Sequence, residues 1–345
     1  MKSDFWRGKR VFITGHTGFK GLWLAKWLDM SGAVVTGYSL PPDEYSLYEK
    51  VSFGSGFSDS EGDVRDLESL KKAMRAAEPE IAFHLAAQAI VGTAWKYPAE
   101  TFATNVMGTV NFLESIRETR SVKAAIAVTS DKVYENAETA RPYDETDRLG
   151  GDEPYAASKT GAEMAVIAYR NAYFKTGPEC SAVRASNAYG GGDLHYDRLI
   201  PHLIKAKVIG ETPELRSPDA VRPWQYVLDL LNGYLAIAEA MYGGSGYSEC
   251  WNFGPPKDEI YRVGDIYRLI MSGKSLPKTE RAEFNESNLL LLDSSKSESR
   301  LGWKPKIKLE DGLNAAYNFY LGMFGGESAG KLMERDIASY TAGLP

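Results

Sequence analysis

Val11-Phe12-Ile13-Thr14-Gly15-His16-Thr17-Gly18-Phe19-Lys20-Gly21 is the stretch on which the fold turns. Its first four residues are β-formers, and beyond the glycines Leu22, Trp23, Leu24, Trp27 and Leu28 recur at helical spacing. The stretch therefore predicts a strand, a glycine turn and a helix. Glycines spaced Gly-x-x-Gly-x-x-Gly in that setting allow a tight turn, close approach of a pyrophosphate to the backbone and packing of helix on strand, and the helix amino terminus favours the anion. A turn that needs glycines for its geometry would look the same in isolation. The flanking strand and helix are what a dinucleotide fingerprint requires.

Reading outward, Ala33 to Tyr38 is the next predicted strand. It ends in Ser39-Leu40-Pro41-Pro42, where the fingerprint expects an acid for the adenosine ribose. Asp43 and Glu44 lie beyond the prolines, and no Arg or Lys between Tyr38 and Glu49 could take a 2′-phosphate, which tilts the reading towards NAD over NADP. Asp63-Val64 follows a short strand and reads either as contact with the adenine edge or as a helix cap before Leu67. Ile81-Ala82-Phe83-His84-Leu85 predicts a buried strand, with Ala86-Ala87 leaving room for a cofactor; His84, inside the apolar run, reads as a core histidine. A helical stretch from about Thr101 to Glu118 carries Asn105 and Gly108.

The apolar run Ala124 to Thr129 predicts a buried strand that delivers Ser130 at its carboxyl end, where open α/β sheets bind ligands. Asp131 and Lys132 follow directly. Tyr155 and Lys159, four apart on a helix, share a face, so the ammonium is expected to bring the phenol down from about 10 and make Tyr155 a base near neutral pH. Tyr-x-x-x-Lys is common by itself; its weight here comes from the glycine turn upstream. Ser181 to Arg184 predicts a further strand, followed by Asn187, Tyr189 and Gly190-Gly191-Gly192-Asp193. Strands alternating with helices up to this point predict an α/β fold, a Rossmann-type doubly wound parallel sheet. From about Asp193 the pattern loosens, and Arg198, Lys205, Lys207, Arg216 and Arg222 are candidates for holding a diphosphate. Beyond about Asn285 a closing strand and an amphipathic helix are expected. The expected organisation is a dinucleotide-binding domain over residues 1–190 that carries the catalytic residues. A smaller carboxy-terminal substrate-binding lobe over 191–345 returns some segments to it.

At 345 residues the chain can bury a large core. A net charge of -6 argues against broad binding to nucleic acid or anionic membranes. No run of 18 or more apolar residues occurs, and Met1 to Gly8 lacks the apolar core of a signal peptide, so a cytoplasmic location is expected. Cys180 and Cys250 have no metal-ligand spacing; both read as structural thiols, and no metal is expected.

On these residues the chain resembles the extended short-chain dehydrogenase/reductase family. Gly15, Gly18, Gly21, Asp63-Val64, His84-Leu85-Ala86-Ala87, Asn105, Ser130, Tyr155 and Lys159 stand in that family's order. Within the family it is similar to the CDP-glucose 4,6-dehydratase group. That likeness rests on Gly15 to Gly21, Thr129-Ser130-Asp131-Lys132, Leu149-Gly150-Gly151, Asp193, Asp197 to Pro201 and Arg222-Pro223-Trp224-Gln225. Sibling sugar-nucleotide dehydratases usually carry a glutamate where Lys132 stands. The chain departs from the group at Ala89 to Trp95, where an Arg-containing segment is usual, and at Leu194-His195-Tyr196, where a tryptophan is usual.

The resemblance implies NAD bound by Gly15, Thr17, Gly18, Phe19, Gly21, Asp63, Val64, Leu85, Ala86, Ala87, Asn105, Tyr155 and Lys159. It implies a sugar nucleotide held by Asn187, Arg198 and Arg222, and a homo-oligomer, dimer or tetramer. The implied reaction turns an NDP-hexose, CDP-D-glucose foremost, into its 4-keto-6-deoxy derivative without net redox change. In it Tyr155 with Lys159 takes the carbon-4 hydroxyl proton and Ser130 orients the oxygen. Lys132 removes the carbon-5 proton, and Asp131 protonates the departing carbon-6 hydroxyl. Those roles need a neutral Lys132 and a protonated Asp131. A 4-epimerase or NDP-sugar reductase of the same family is the alternative and would leave Asp131-Lys132 without elimination chemistry. A non-catalytic nucleotide-binding protein is an alternative of another class, opposed by the intact Ser130, Tyr155 and Lys159.

Overall fold

The computed structural model describes residues 4–277, 279–280 and 289–343, so the start of the segment expected beyond Asn285 lies outside the described residues. The chain opens with β1 (Arg10–Thr14), α1 (Phe19–Met30), β2 (Val34–Ser39), β3 (Phe57–Glu61), α2 (Leu67–Ala77) and β4 (Ile81–His84). It continues through α3 (Val91–Lys96), α4 (Pro98–Phe102), α5 (Gly108–Glu118), β5 (Ala124–Val128), α6 (Pro154–Ala172) and β6 (Glu179–Ala185). Then come β7 (Asn187–Tyr189), α7 (Leu199–Ile209), β8 (Leu215–Arg216), β9 (Val221–Arg222), β10 (Trp224–Tyr226), α8 (Val227–Gly243) and β11 (Cys250–Phe253). Four further helices, α9 (Val263–Ile270), α10 (Ser295–Leu301), α11 (Leu309–Phe324) and α12 (Ala329–Ala342), follow.

A seven-stranded sheet in the order β11-β6-β5-β4-β1-β2-β3 is parallel throughout. Strands β1, β4, β5 and β6 are almost wholly buried because both faces are covered, whereas the edge strand β3, Phe57-Ser58-Asp59-Ser60-Glu61, is half-buried to exposed. Alternate residues of each strand face opposite sides. Val11, Ile13, Ile81, Phe83, Ala124, Ile126 and Val183 face α1 and α8 through Trp23, Trp27, Leu230 and Leu231. Phe12, Ala82, Ala125, Ala127 and Ala182 face α2, α5 and α6 through Leu70, Met74, Phe112, Ile116 and Val166. Each fully buried large side chain of these layers contributes about 1.5–3 kcal/mol.

From β1 the chain runs outward to β2 and β3, then recrosses to β4 and continues the other way. The order reverses between β1 and β4, where Thr14 pairs with His84, and in open α/β sheets the ligand crevice lies beyond the carboxyl ends at such a point. After β6 the chain builds the short parallel pair β7 and β10, and β11 rejoins the main sheet beside β6.

The stretch predicted as one helix from Thr101 to Glu118 is interrupted. Residues Ala103–Met107 wind as a wider π turn between α4 and α5. Gly108 begins α5 against Val64, where an added Cβ would stand 2.8 Å from a Val64 methyl. The turn swings Asn105 inward, and such insertions are frequent at functional sites.

Candidate active site

Gly15 has φ +76°, and a Cβ on it would lie 2.6 Å from the Ala86 nitrogen. A Cβ on Gly21 would lie 2.1 Å from the Gly15 carbonyl oxygen, so Gly21 is what lets α1 close on the turn. Gly18, by contrast, is exposed, meets nothing closer than 3.5 Å and stands at the amino-terminal cap of α1 without a side-chain capping bond. The first intrahelical bond runs from the Leu22 N–H to the Gly18 carbonyl at 2.8 Å. The first-turn N–H groups are left to an anion. Thr17 ties the turn to the end of β2, its Oγ1 2.8 Å from Ser39 Oγ and 3.3 Å from the Leu40 carbonyl. Beneath it, the Leu85 N–H donates to the Thr14 carbonyl (3.1 Å), the Ala86 N–H to Thr14 Oγ1 (3.3 Å), and Ala87 continues this half-buried floor. The whole is a cradle of backbone donors without side chains in the way, which fits a dinucleotide pyrophosphate.

Asp63 settles one of its two readings. Helix α2 is capped by Asp66, which accepts from the Ser69 N–H at 3.1 Å, so Asp63 is not the cap. The Asp63 carboxylate accepts from the Arg65 N–H (2.8 Å) and from its guanidinium (2.6 and 2.8 Å), and these bonds hold it below the usual carboxylate range. Val64 is buried under Gly108. His84 is a core residue, with Nδ1 2.7 Å from Thr14 Oγ1 and its ring stacked on Phe112; burial pushes it down to about 3. Asn105 works as a clamp. Its Oδ1 accepts from the Gln88 N–H (2.8 Å), and its Nδ2 donates to the Gln88 carbonyl (3.0 Å) and to Ser158 Oγ (2.8 Å), joining the floor to α6.

The catalytic candidates converge at the end of β5. Ser130 Oγ donates to Asp131 Oδ1 at 2.9 Å and accepts from the Lys132 N–H at 3.2 Å. Asp131 is 2% exposed, and its Oδ2 has no hydrogen-bond partner among the described residues. Burial raises this carboxyl against the opposing effects of Ser130, Lys132 and Arg222, so it favours its protonated form more than an ordinary aspartate does. Half-buried Lys132 places its ammonium 6.0 Å from the Tyr155 ring centre.

At Tyr155 the structure departs from the expectation. The phenol is pushed up to about 12, chiefly by burial, with the bond to Ser130 pulling the other way. Lys159 shares the helix face as predicted, but its ammonium donates to the Val128 carbonyl at 3.1 Å, and burial and the nearby Lys20 charge push it down to about 7. Desolvation thus outweighs the attraction that helical spacing suggests, and in this arrangement Lys159 does not lower Tyr155.

On the far side of the crevice, Arg198 pairs with Asp193 (2.7 Å) and bears electrostatically on Tyr155. Arg222, 7% exposed, donates to the Val221 carbonyl at 3.0 Å and bears on Asp131. Asn187, half-buried on β7, is anchored through its N–H to the Pro223 carbonyl at 2.9 Å. The other basic candidates go elsewhere. Lys205 lies over the Tyr196 ring and Lys207 over Tyr317, while Arg216 is exposed on β8. Sequence reasoning passed over Lys20 as a site residue, although its place within the glycine turn was a signal.

Residues 11–252 match the model of the NAD dependent epimerase/dehydratase family. The chain is 38% identical to the CDP-glucose 4,6-dehydratase of Salmonella typhimurium across 99% of this chain and 98% of that relative. It is 27% identical to UDP-glucuronate 4-epimerase 4 of Arabidopsis thaliana, over 93% and 77% of the two chains. The crystal structure of a dTDP-glucose 4,6-dehydratase from Streptomyces venezuelae, solved with NAD bound, matches with a TM-score of 0.80 over 92% of this chain and 98% of that one, at 23% identity. At that identity the likeness speaks for the fold.

Proposed function

Since this chain belongs to the NAD dependent epimerase/dehydratase family, we propose that it is a hydro-lyase converting an NDP-hexose, CDP-D-glucose foremost, to its 4-keto-6-deoxy derivative for deoxysugar biosynthesis. The observation that carries this reading is the Ser130-Asp131-Lys132 turn, which sets a buried carboxyl, raised by that burial, beside a lysine whose ammonium lies over the Tyr155 ring. Identity of 38% over the whole chain to a CDP-glucose 4,6-dehydratase supports the same reading.

Gly15, Thr17, Gly18, Phe19 and Gly21 would hold the pyrophosphate of NAD, with Leu85, Ala86 and Ala87 beneath it. Asp63 and Val64 would lie at the adenosine end, Tyr155 and Lys159 at the nicotinamide end, and Asn105 would steady the floor. NAD, when bound, supplies the acceptor for the carbon-4 hydride and its donor to carbon 6, so no net redox change results. Tyr155 receives the carbon-4 hydroxyl proton while Ser130 holds the oxygen. For this the phenol must first lose its own proton; a phenolate with an ammonium has the same proton count as a phenol with an amine, but with Tyr155 at about 12 and Lys159 at about 7 the pair rests as phenol and amine, so the exchange runs uphill and has to be driven by the charge that bound ligands would bring to the site. Lys132 takes the carbon-5 proton that the ketone makes acidic. Asp131 gives its proton to the carbon-6 hydroxyl, which leaves as water, so the Asp131-Lys132 pair ends the step as carboxylate and ammonium. Asn187, Arg198 and Arg222 would hold the diphosphate of the sugar nucleotide.

Exposed Tyr97 just before α4, Phe102 on α4, Met107 on the π turn and Met164 on α6 support self-association. Among the described residues no helix is long and apolar enough to cross a membrane, in keeping with a cytoplasmic enzyme.

The test is a panel of CDP-, UDP-, dTDP- and GDP-glucose incubated with purified protein and a catalytic amount of NAD. A 6-deoxy-4-ketosugar should form from CDP-glucose without added reductant. NADH accumulating in proportion to product, or a 4-epimer as the sole product, would overturn the reading.

A further inference from the structure

Lys20 is the second residue of α1, and the reaction above assigns its side chain no task. The residue is half-buried, and among the described residues its ammonium makes no hydrogen bond or ion pair. It stands in a cluster of charges: Arg198, Asp131 and Asp193 bear on it electrostatically, and it bears on Lys159. Those neighbours are committed elsewhere, save for Asp131 Oδ2, unpartnered among the described residues, with which Lys20 makes no ion pair. Asp193 holds Arg198 at 2.7 Å, Asp131 Oδ1 takes the Ser130 hydroxyl at 2.9 Å, and Lys159 donates to the Val128 carbonyl at 3.1 Å. Lys20 is therefore a cation without a partner in a cleft where Arg198 and Lys159 repel it, and burial together with Arg198 pushes it down to about 8. Like charges gathered in a partly desolvated cleft are unfavourable until an anion joins them. The amino terminus of the same helix has no side-chain capping bond, so its first-turn N–H groups favour an anion as well.

We propose that Lys20 is a diphosphate-binding residue, whose ammonium grips a phosphate of the bound dinucleotide or of the sugar nucleotide and so joins Arg198 and the first turn of α1 around one anion. The inference rests on the function proposed above and extends it by one side chain. It has a consequence for protons. An anion drawn against Lys20 restores its preference for the charged form, so ligand binding near pH 8 takes up protons.

Isothermal titration of NAD, and separately of CDP, into wild type, Lys20→Met and Lys20→Arg at pH 8, in buffers of different ionisation enthalpy, tests this. Lys20→Met should weaken one of the two ligands roughly 10- to 100-fold and lose the proton uptake, with an unchanged thermal melt. Lys20→Arg should keep most of the affinity yet lose the uptake, because a guanidinium stays charged throughout. A loss confined to NAD assigns the contact to the cofactor, and one confined to CDP assigns it to the sugar nucleotide. Unaltered affinity for both ligands in Lys20→Met, or undiminished proton uptake in Lys20→Arg, would overturn the inference. Wild type that binds neither ligand would instead sink the proposed function.

Discussion

Asp131 and Lys132 are adjacent in the chain but live in different surroundings. Asp131 is buried in the turn after β5, whereas Lys132 is only half-buried, with its ammonium over the Tyr155 ring. A carboxyl raised by burial suits the donor of a proton, and the lysine beside the opening suits its removal from carbon 5. Lys132→Ala should still oxidise carbon 4, since Ser130, Tyr155 and Lys159 remain, but stall before elimination, with turnover down roughly 10²- to 10⁴-fold. In deuterated water the wild-type product should carry solvent deuterium at carbon 5, while substrate recovered from the variant should not. Near wild-type turnover in folded Lys132→Ala protein would remove Lys132 from the role of base. Arg222 is proposed to act on binding instead. With its guanidinium largely buried and bearing on Asp131, Arg222→Ala should raise KM by an amount equivalent to about 2–5 kcal/mol while changing kcat less. An unchanged KM would place Arg222 outside the substrate site.

Strand β4 shows what burial does to an ionisable side chain within an element. His84 shares a register pair with Thr14 across β1 and β4 and is neutral at all but acid pH, down to about 3. In the unfolded chain the same imidazole protonates at about 6.5. Between these values the unfolded state binds a proton that the folded state does not, so stability falls as pH drops from about 6.5 towards 3, by up to about 1.4 kcal/mol per pH unit from this group. His84→Gln lacks that ionisation. Urea unfolding at pH 7.5 and pH 5 should therefore show a shallower acid loss for the variant than for wild type, whatever its stability at neutral pH. Parallel losses in the two proteins would mean that His84 titrates normally in the fold.

In the whole molecule, the carboxy-terminal residues are bonded into the main body through a buried staple. Asp229 of α8 is 0% exposed, and its carboxylate accepts from the Lys306 N–H (2.9 Å), the Ile307 N–H (3.0 Å) and the Tyr340 hydroxyl (2.7 Å). One side chain thus ties the sheet-packing helix to the approach to α11 and to α12. Asp229→Ala would strand three donors in the interior and should cost about 3 kcal/mol or more, read as a lower urea midpoint. A loss below about 1 kcal/mol would show that the terminal helices are held by apolar packing and that the staple is incidental.

Much of the fold was determined by local pattern. The strand predicted at Val11 to Thr14 differs from β1 by one residue, and the one predicted at Ala33 to Tyr38 is β2 shifted by one. The glycine turn, the emergence of Ser130 from β5 and the shared helix face of Tyr155 and Lys159 were equally legible, because periodicity and backbone freedom are properties of neighbouring residues. What tertiary structure decided is which distant groups meet. Thr14 and His84 are 70 residues apart, yet their strands frame the crevice. Arg198 and Arg222 reach the centre while Lys205 and Lys207 stack on aromatic rings, and nothing in their spacing separates them. Asp63 went to Arg65 and left the cap to Asp66. Tyr155 and Lys159 were placed correctly by sequence and ionise otherwise than their spacing implies, because a pKa is set by desolvation and by charges through space, and Lys20, Arg198 and the Val128 carbonyl come to that pair only when the chain has folded.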